Sequence, residues 1–288
     1  MIKLIAIDMD GTILSPELTI SENSRQAILE AQANGIEVVI ATGRSFVEAF
    51  DPVKTAGLNL PFICLNGAEI RDQSGQLLDA THLYENDIPK ITSILESENI
   101  DYQLFVGEDM YTRDTEQIID IFIQLAEAAH HTPPIETIRK EVRDRVQQGA
   151  ILQVDSFAPI LKKHANEIYK VFGSSASLEK LDRAREALKK LPNIAVSSSG
   201  AGNLEITSIH AQKGIALEKY ARSKGIAMEN VMAIGDSYND LSMMKRVGHP
   251  VAMGNAPADI KEICKTVTAT NEHNGVGLAI EAILQPQV

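Results

Sequence analysis

The 288-residue chain is too long for one compact layer and suits one large α/β unit or two modest domains. Apolar residues make up 44%, which excludes global disorder, and 27 Lys and Arg against 39 Asp and Glu give a net charge of -12, which makes nucleic acid a poor default partner. The two cysteines, Cys64 and Cys264, form no CxxC pair, so there is no disulfide framework and no zinc ribbon, and the usage suits a reducing cytoplasm.

Met1 leads into an apolar run, Ile2 to Ile7, that Asp8 and Asp10 interrupt. It is too short to span a bilayer and lacks a cleavage region, so it reads as a buried strand. No segment reads as transmembrane, and a membrane is not among the expected partners. Ser21 to Asn34 reads as a helix, with Ser21 as N-cap, Ala27, Ile28 and Ala31 at helical spacing, and Gly35 as the stop. Ile36 to Ala41 is a second apolar run, ending in Thr42-Gly43-Arg44, and Phe62 to Leu65 is a third, ending in Asn66-Gly67. Continuous apolar strands alternating with helices predict a parallel sheet covered on both faces.

Around residue 84 the texture changes. Helical patterns run over Ile88–Glu98, Glu116–Ala129, Pro159–Phe172 and Leu178–Leu191, and Thr132-Pro133-Pro134 reads as a loop. Strand-like pieces fall at Tyr102–Val106, Met110–Thr112, Ile151–Asp155, Ile194–Ser198 and Leu204–Thr207. This predicts an α+β insertion with mostly antiparallel strands. The parallel texture then returns at Val231–Ile234 and Pro250–Met253, and a helix over Gly277–Leu284 closes the pattern. The expected layout is a parallel-sheet core at 1–83 and 205–288, interrupted by a smaller domain at 84–204.

In open parallel sheets, ligands sit beyond the carboxyl ends of the strands. After the apolar runs stand Asp8 and Asp10, then Thr42 and Gly43, then Asn66 and Gly67, then Asp236, Asn239 and Asp240. Clustered carboxylates cost several kcal/mol, on the order of what a buried ion loses in hydration, unless a cation or donors compensate them. A hard cation such as Mg²⁺ meets that need with oxygen ligands.

A lone DxD is ordinarily a pair of turn residues. Inside Asp8-Met9-Asp10-Gly11-Thr12, directly after a hydrophobic strand, period-two alternation lets both carboxylates face one ligand. One can then act as nucleophile while the other moves the proton. Thr42 reads equally as a helix N-cap or as a phosphoryl ligand with the Gly43 amide, and Arg44 reads as surface charge. Lys213 opens a helix where a cation opposes the dipole, which hints at an anionic partner. In Gly235-Asp236-Ser237-Tyr238-Asn239-Asp240, N-capping accounts for one acid but not for all three polar groups. The seven histidines show no ligand-like spacing, and neither GxxxxGK[ST] nor GxGxxG occurs. Gly200-Ala201-Gly202 reads as a hairpin turn.

Asp8-Met9-Asp10-Gly11-Thr12, Thr42-Gly43, Lys213-Gly214 and Gly235-Asp236-Ser237-Tyr238-Asn239-Asp240 together resemble the haloacid dehalogenase-like hydrolase superfamily, in its Cof-type phosphatase branch. Asn66-Gly67, Leu204-Glu205-Ile206, Met253-Gly254-Asn255-Ala256 and Asn271-Glu272-His273-Asn274-Gly275-Val276 extend the resemblance over almost the whole chain. It implies an α/β fold, a Rossmann-like core with an inserted α+β cap of the C2 type that selects the substrate. It further implies a cytoplasmic phosphatase acting on small phosphate esters, sugar phosphates above all. Asp8 would attack phosphorus, and Asp10 would protonate the leaving alcohol and then activate water. Mg²⁺ would be held by Asp8, the Asp10 main-chain carbonyl and Asp236. Met9, Thr42, Gly43, Lys213 and Asn239 would hold the phosphoryl group, with Asp240, Ser237, Asn66 and Gly67 in support. The rival readings are a phosphomutase of the same fold, a phospho-accepting signalling domain and a non-catalytic phospho-ligand binder. Oligomeric state is left open.

Overall fold

The computed structural model describes residues 1–128, 135–200 and 202–284. The loop read at Thr132–Pro134, with His130 and His131, and Ala201 of the expected hairpin turn lie outside the described residues. The chain divides into two compact units, one formed by Met1–Ala80 with Gln212–Val288 and the other by Thr81–Ala211. In chain order the first five strands are β1 (Leu4–Ile7), β2 (Glu37–Ala41), β3 (Phe62–Cys64), β4 (Glu69–Arg71) and β5 (Leu77–Ala80). The inserted unit holds β6 (Asp101–Val106), β7 (Asp109–Thr112), β8 (Ile151–Gln153), β9 (Ile168–Ser174), β10 (Ile194–Ser197) and β11 (Asn203–Ser208). The first unit resumes with β12 (Val231–Gly235), β13 (His249–Ala252) and β14 (Thr266–Val267).

The first unit is built on one sheet in the order β14-β13-β12-β1-β2-β3-β4-β5. Its strands run parallel from β14 to β3, and β4 and β5 turn back antiparallel at one edge. β1 lies between β12 and β2, with Leu4 opposite both Val231 and Glu37. Every residue of β1 and β12 is buried, which is why both read as unbroken apolar runs. On one face Leu4, Ala6, Val39 and Ile63 pack with Leu217 and Tyr220 of helix Lys213–Ser223. Each of the Leu, Val and Ile side chains withdrawn from water contributes about 1.5–3 kcal/mol. Ser21 caps helix Glu22–Ala33 as its position suggests, its Oγ accepting from the Ser24 N–H at 3.2 Å. Parallel running puts the ends of β1, β2, β3 and β12 on one rim of the sheet, so that Asp8, Thr42, Asn66 and Asp236 all leave from there.

The second unit carries a six-stranded sheet, β10-β11-β9-β6-β7-β8, antiparallel except for the β7–β8 pair. Helices Ile88–Ser97 and Leu178–Leu188 bring Ile91, Leu95, Leu181 and Leu188 into one core with Leu104, Val171 and Ile206. Two readings of this segment change. Pro159–Phe172 is not one helix: only Ala158–His164 is α-helical, and Ile168–Ser174 is the strand β9 paired on both sides. All seven residues of β9 are buried, so the alternation that marks a strand is erased. β11 pairs with β9 and β10, so the unit extends through Ala211, beyond the residue 204 taken from sequence, and begins at Thr81 instead of 84. Helix Ile135–Gln147 and the edge pair β4–β5 had no counterpart in the sequence reading. Among the described residues no helix is long and apolar enough to cross a membrane.

Candidate active site

Asp8 directly follows β1 and is 4% exposed, its N–H donating to the Ile234 carbonyl of β12 at 3.0 Å. The next five residues, Met9–Ile13, form a kinked turn in which Asp10 stays extended and Gly11 takes φ +73°. A Cβ at Gly11 would lie 2.5 Å from Asp236 Oδ2, so a bare backbone is needed for the two loops to meet. The Met9 side chain is buried in the core, which leaves its main chain as the part that can meet a ligand.

Lys213, at the start of helix Lys213–Ser223, is completely buried and stands between two acids. Its Nζ donates to Asp8 Oδ1 at 2.6 Å and to Asp240 Oδ1 at 2.6 Å. Asp240 Oδ2 in turn accepts the N–H groups of Asp236 and Ser237, each at 3.0 Å, which closes the loop after β12 into a tight turn. Asp236 accepts the Thr12 hydroxyl on Oδ1 at 2.9 Å and Asn255 Nδ2 on Oδ2 at 3.4 Å. Asn255 also donates to the Gly11 carbonyl at 2.8 Å.

These contacts bend the titrations. Burial, with the Asp240 charge, pushes the Asp8 carboxyl well above the ordinary carboxylate range, against the pull of Lys213. Burial and Asp240 push Asp236 up to about 7. Desolvation disfavours the charge on Lys213, but Asp240 and Asp8 outweigh it and hold that ammonium above its usual value. Asp8, Asp236 and Asp240 each bring a carboxylate oxygen within 4.8 Å of the others. An all-oxygen donor set in so small a space is suited to a hard divalent cation, which relieves the repulsion between the acids.

Thr42 lies beyond β2, fully buried. It is not the helix cap: Ser45 caps Phe46–Thr55 through a capping box with Glu48, while Thr42 Oγ1 accepts the Arg44 N–H at 3.1 Å. Gly43, next to it, is only partly buried. Asn66 and Gly67 form a turn after β3, and Asn66 Oδ1 accepts Asn239 Nδ2 at 3.3 Å. Asp10 is the expected residue that does not join the acid trio. Its carboxylate is engaged by Arg44, Nε to Oδ2 at 2.9 Å and Nη2 to Oδ1 at 2.6 Å. Desolvation pushes Asp10 upward, yet the Arg44 charge and hydrogen bonds outweigh it and hold the carboxyl below the ordinary range. Arg44 is therefore no surface charge; its side chain is 17% exposed. Asn255 was also missed as a contributor, and its place in Met253-Gly254-Asn255-Ala256, after an apolar strand, was the available signal.

Carboxylates gathered around a buried lysine at the rim of a parallel sheet are an arrangement suited to a cation and an anionic group together. The family model described as haloacid dehalogenase-like hydrolase matches residues 5–280, and the chain belongs to that family, as a phosphatase of the phosphoric monoester hydrolase class. It is 33% identical over 284 residues to Phosphatase YwpJ of Bacillus subtilis, covering 98% of this chain and 100% of the relative. It is 34% identical over 288 residues to the 5-amino-6-(5-phospho-D-ribitylamino)uracil phosphatase YwtE of Bacillus subtilis, covering 99% of both. A solved haloacid dehalogenase-like hydrolase from B. subtilis superposes with a TM-score of 0.88 at 33% identity, over 97% of this chain and 99% of that one.

Proposed function

We propose that this chain is a Mg²⁺-dependent, cytoplasmic phosphatase of small phosphate esters, sugar and polyol phosphates foremost, which works through a phosphorylated Asp8. The observation that carries the reading is the buried Lys213, bonded at once to Asp8 and Asp240 beside Asp236. A fully buried ammonium that tethers one acid to another is an expensive arrangement, justified where a dianionic group must be received. The name of the YwtE relative, a phosphatase of a ribityl phosphate, supports the search among polyol phosphates.

In the first step an Asp8 carboxylate oxygen forms a bond to phosphorus as the bond to the ester oxygen breaks, and Asp10, having taken a proton from solvent as the dianionic ester arrives, gives that proton to the departing alcohol. In the second, Asp10 takes a proton from water, the water oxygen bonds to phosphorus, and the Asp8–phosphorus linkage breaks to release inorganic phosphate. Lys213, Asn239, the Thr42 hydroxyl and the main chain at Met9 and Gly43 hold the phosphoryl oxygens while charge spreads over them. Asp8, Asp236 and the Asp10 main-chain carbonyl would hold Mg²⁺, which would supply the positive charge that lets two anions approach. Asp240 fixes Lys213 and, with Ser237, the turn after β12.

The test is inorganic phosphate released from a panel of phosphometabolites with and without Mg²⁺. Release that depends on Mg²⁺ and ranks sugar or polyol phosphates first supports the reading. Silence across the panel, or full activity in EDTA, overturns it, and bisphosphate-dependent isomerisation without release would point to the mutase.

A further inference from the structure

We infer that Asn66 is a positioning residue, which aims the Asn239 amide at the phosphoryl group; the inference rests on the phosphate-binding role proposed for Asn239. The backbone at this point is unusual. Leu65, Asn66 and Gly67 follow β3 with φ of +50°, +58° and +98°, three consecutive left-handed residues. Neither leucine nor asparagine adopts that region without cost, and such outliers persist where the surroundings over-determine them.

The surroundings are the other strand ends. The Leu65 N–H donates to the Arg44 carbonyl at 2.9 Å and the Asn66 N–H to the Thr42 carbonyl at 3.0 Å, so the turn is tied to the loop after β2. A Cβ on Gly67 would lie 2.5 Å from the Gln212 carbonyl oxygen, so the turn also packs directly against the segment that delivers Lys213. The Asn66 side chain then reaches the loop after β12, accepting Asn239 Nδ2 at 3.3 Å. One three-residue turn thus touches the segments of Thr42, Lys213 and Asn239.

The ligand-pointing observation is at Asn239. This side chain is 9% exposed, and its Oδ1 is buried with no hydrogen-bond partner. A buried carbonyl without a donor is costly to leave unmade. Half a turn about the last side-chain bond exchanges the two ends of a carboxamide without changing its shape. With both carboxamides turned, Asn66 Nδ2 donates to Asn239 Oδ1, and the unmatched end of Asn239 presents an NH₂, which a phosphoryl oxygen accepts. A residue 3% exposed that grips one end of the amide decides where the other end points.

The test is a double-mutant cycle on the full chain, comparing wild type, Asn66→Gly, Asn239→Ala and the double variant by kcat, KM and inhibition by inorganic phosphate. Glycine keeps the left-handed backbone and removes only the amide, and thermal melting confirms that each variant folds. If the glycine variant does not fold, Asn66→Ser, too short to reach Asn239, takes its place. We expect Asn66→Gly to weaken phosphate inhibition and lower kcat/KM about tenfold, Asn239→Ala to lose about ten- to a hundredfold, and the double variant to lose no more than Asn239→Ala. Wild-type constants in Asn66→Gly beside an impaired Asn239→Ala would overturn the positioning role and leave the proposed function intact, and so would losses that add. Wild-type constants in Asn239→Ala would remove both residues from phosphate binding. A wild-type protein that releases no phosphate from any ester would sink the function and this inference with it.

Discussion

Arg44 grips Asp10 with two nitrogens, Nη2 on Oδ1 at 2.6 Å and Nε on Oδ2 at 2.9 Å. The two-pronged geometry is one that lysine cannot reproduce. Before an ester arrives Asp10 is thereby kept ionised, with its carboxyl below the ordinary range in spite of desolvation. A depressed carboxyl adds stability above its unfolded pKa, and that stability is lost as pH falls through the folded value. Thermal melts of wild type and Arg44→Met should therefore differ at pH 7 and converge below about pH 4, the model-peptide range for Asp. The same variant should lower kcat about tenfold, because the proton carrier is no longer oriented. A constant gap between the two melts across pH would separate Arg44 from Asp10.

Asp8 and Asp236 titrate in the opposite direction. Asp236 is pushed up to about 7 and Asp8 is raised as well, both first by burial. A raised carboxyl contributes stability below its unfolded pKa and loses it as pH climbs towards the folded value, here from about 4 to 7. A cation takes the place of the protons, so Mg²⁺ should raise the melting temperature more at pH 8 than at pH 5.5 and should release protons on binding. Differential scanning fluorimetry at the two pH values, with calorimetry in buffers of different ionisation enthalpy, checks this. An equal shift at both pH values with no proton release would contradict it.

Lys213 is the only side chain that bonds both Asp8 and Asp240 among the described residues. Lys213→Met fills the same volume but leaves two buried carboxylates facing each other. The expected cost is about 3–5 kcal/mol of stability at neutral pH, shrinking as Asp8 is protonated, together with loss of turnover. Urea unfolding at pH 7 and pH 5 measures it. Unchanged stability would mean that the lysine does not compensate the acids.

Gly11 is tested by a single methyl group. Gly11→Ala must hold φ near +73° and place its Cβ against Asp236 Oδ2. We expect Mg²⁺ affinity to fall at least about tenfold, as disturbing the supports of a metal ligand does, with little change in the fold. Titration of Mg²⁺ by calorimetry reads this directly, and wild-type affinity would refute it.

Much of the site was legible because its residues sit where apolar strands stop. Asp8, Thr42, Asn66 and Asp236 were found from strand ends, and the sheet confirms that β1, β2, β3 and β12 end on one rim. The cation opposing a helix dipole at Lys213 was a weak signal for a residue that proves wholly buried. Arg44 was misread because a lone arginine carries no trace of its partner 34 positions earlier. β1 itself stops at Ile7, but the backbone stays extended at Asp8 and Asp10, with Met9 between them buried, before Gly11 turns the chain. β9 was lost for a different reason: burial on both faces leaves no alternation, and the Pro159-Ile160-Leu161 start looked helical.

The measurement closest to the central claim is the steady-state release of inorganic phosphate by Asp8→Asn beside wild type, on the best ester at saturating Mg²⁺. The amide has almost the shape of the carboxylate but cannot take up phosphorus, so we expect a fall in kcat of at least about 10⁴-fold with the melting temperature kept or raised. A variant that retains activity within about tenfold of wild type would show that Asp8 is not the nucleophile.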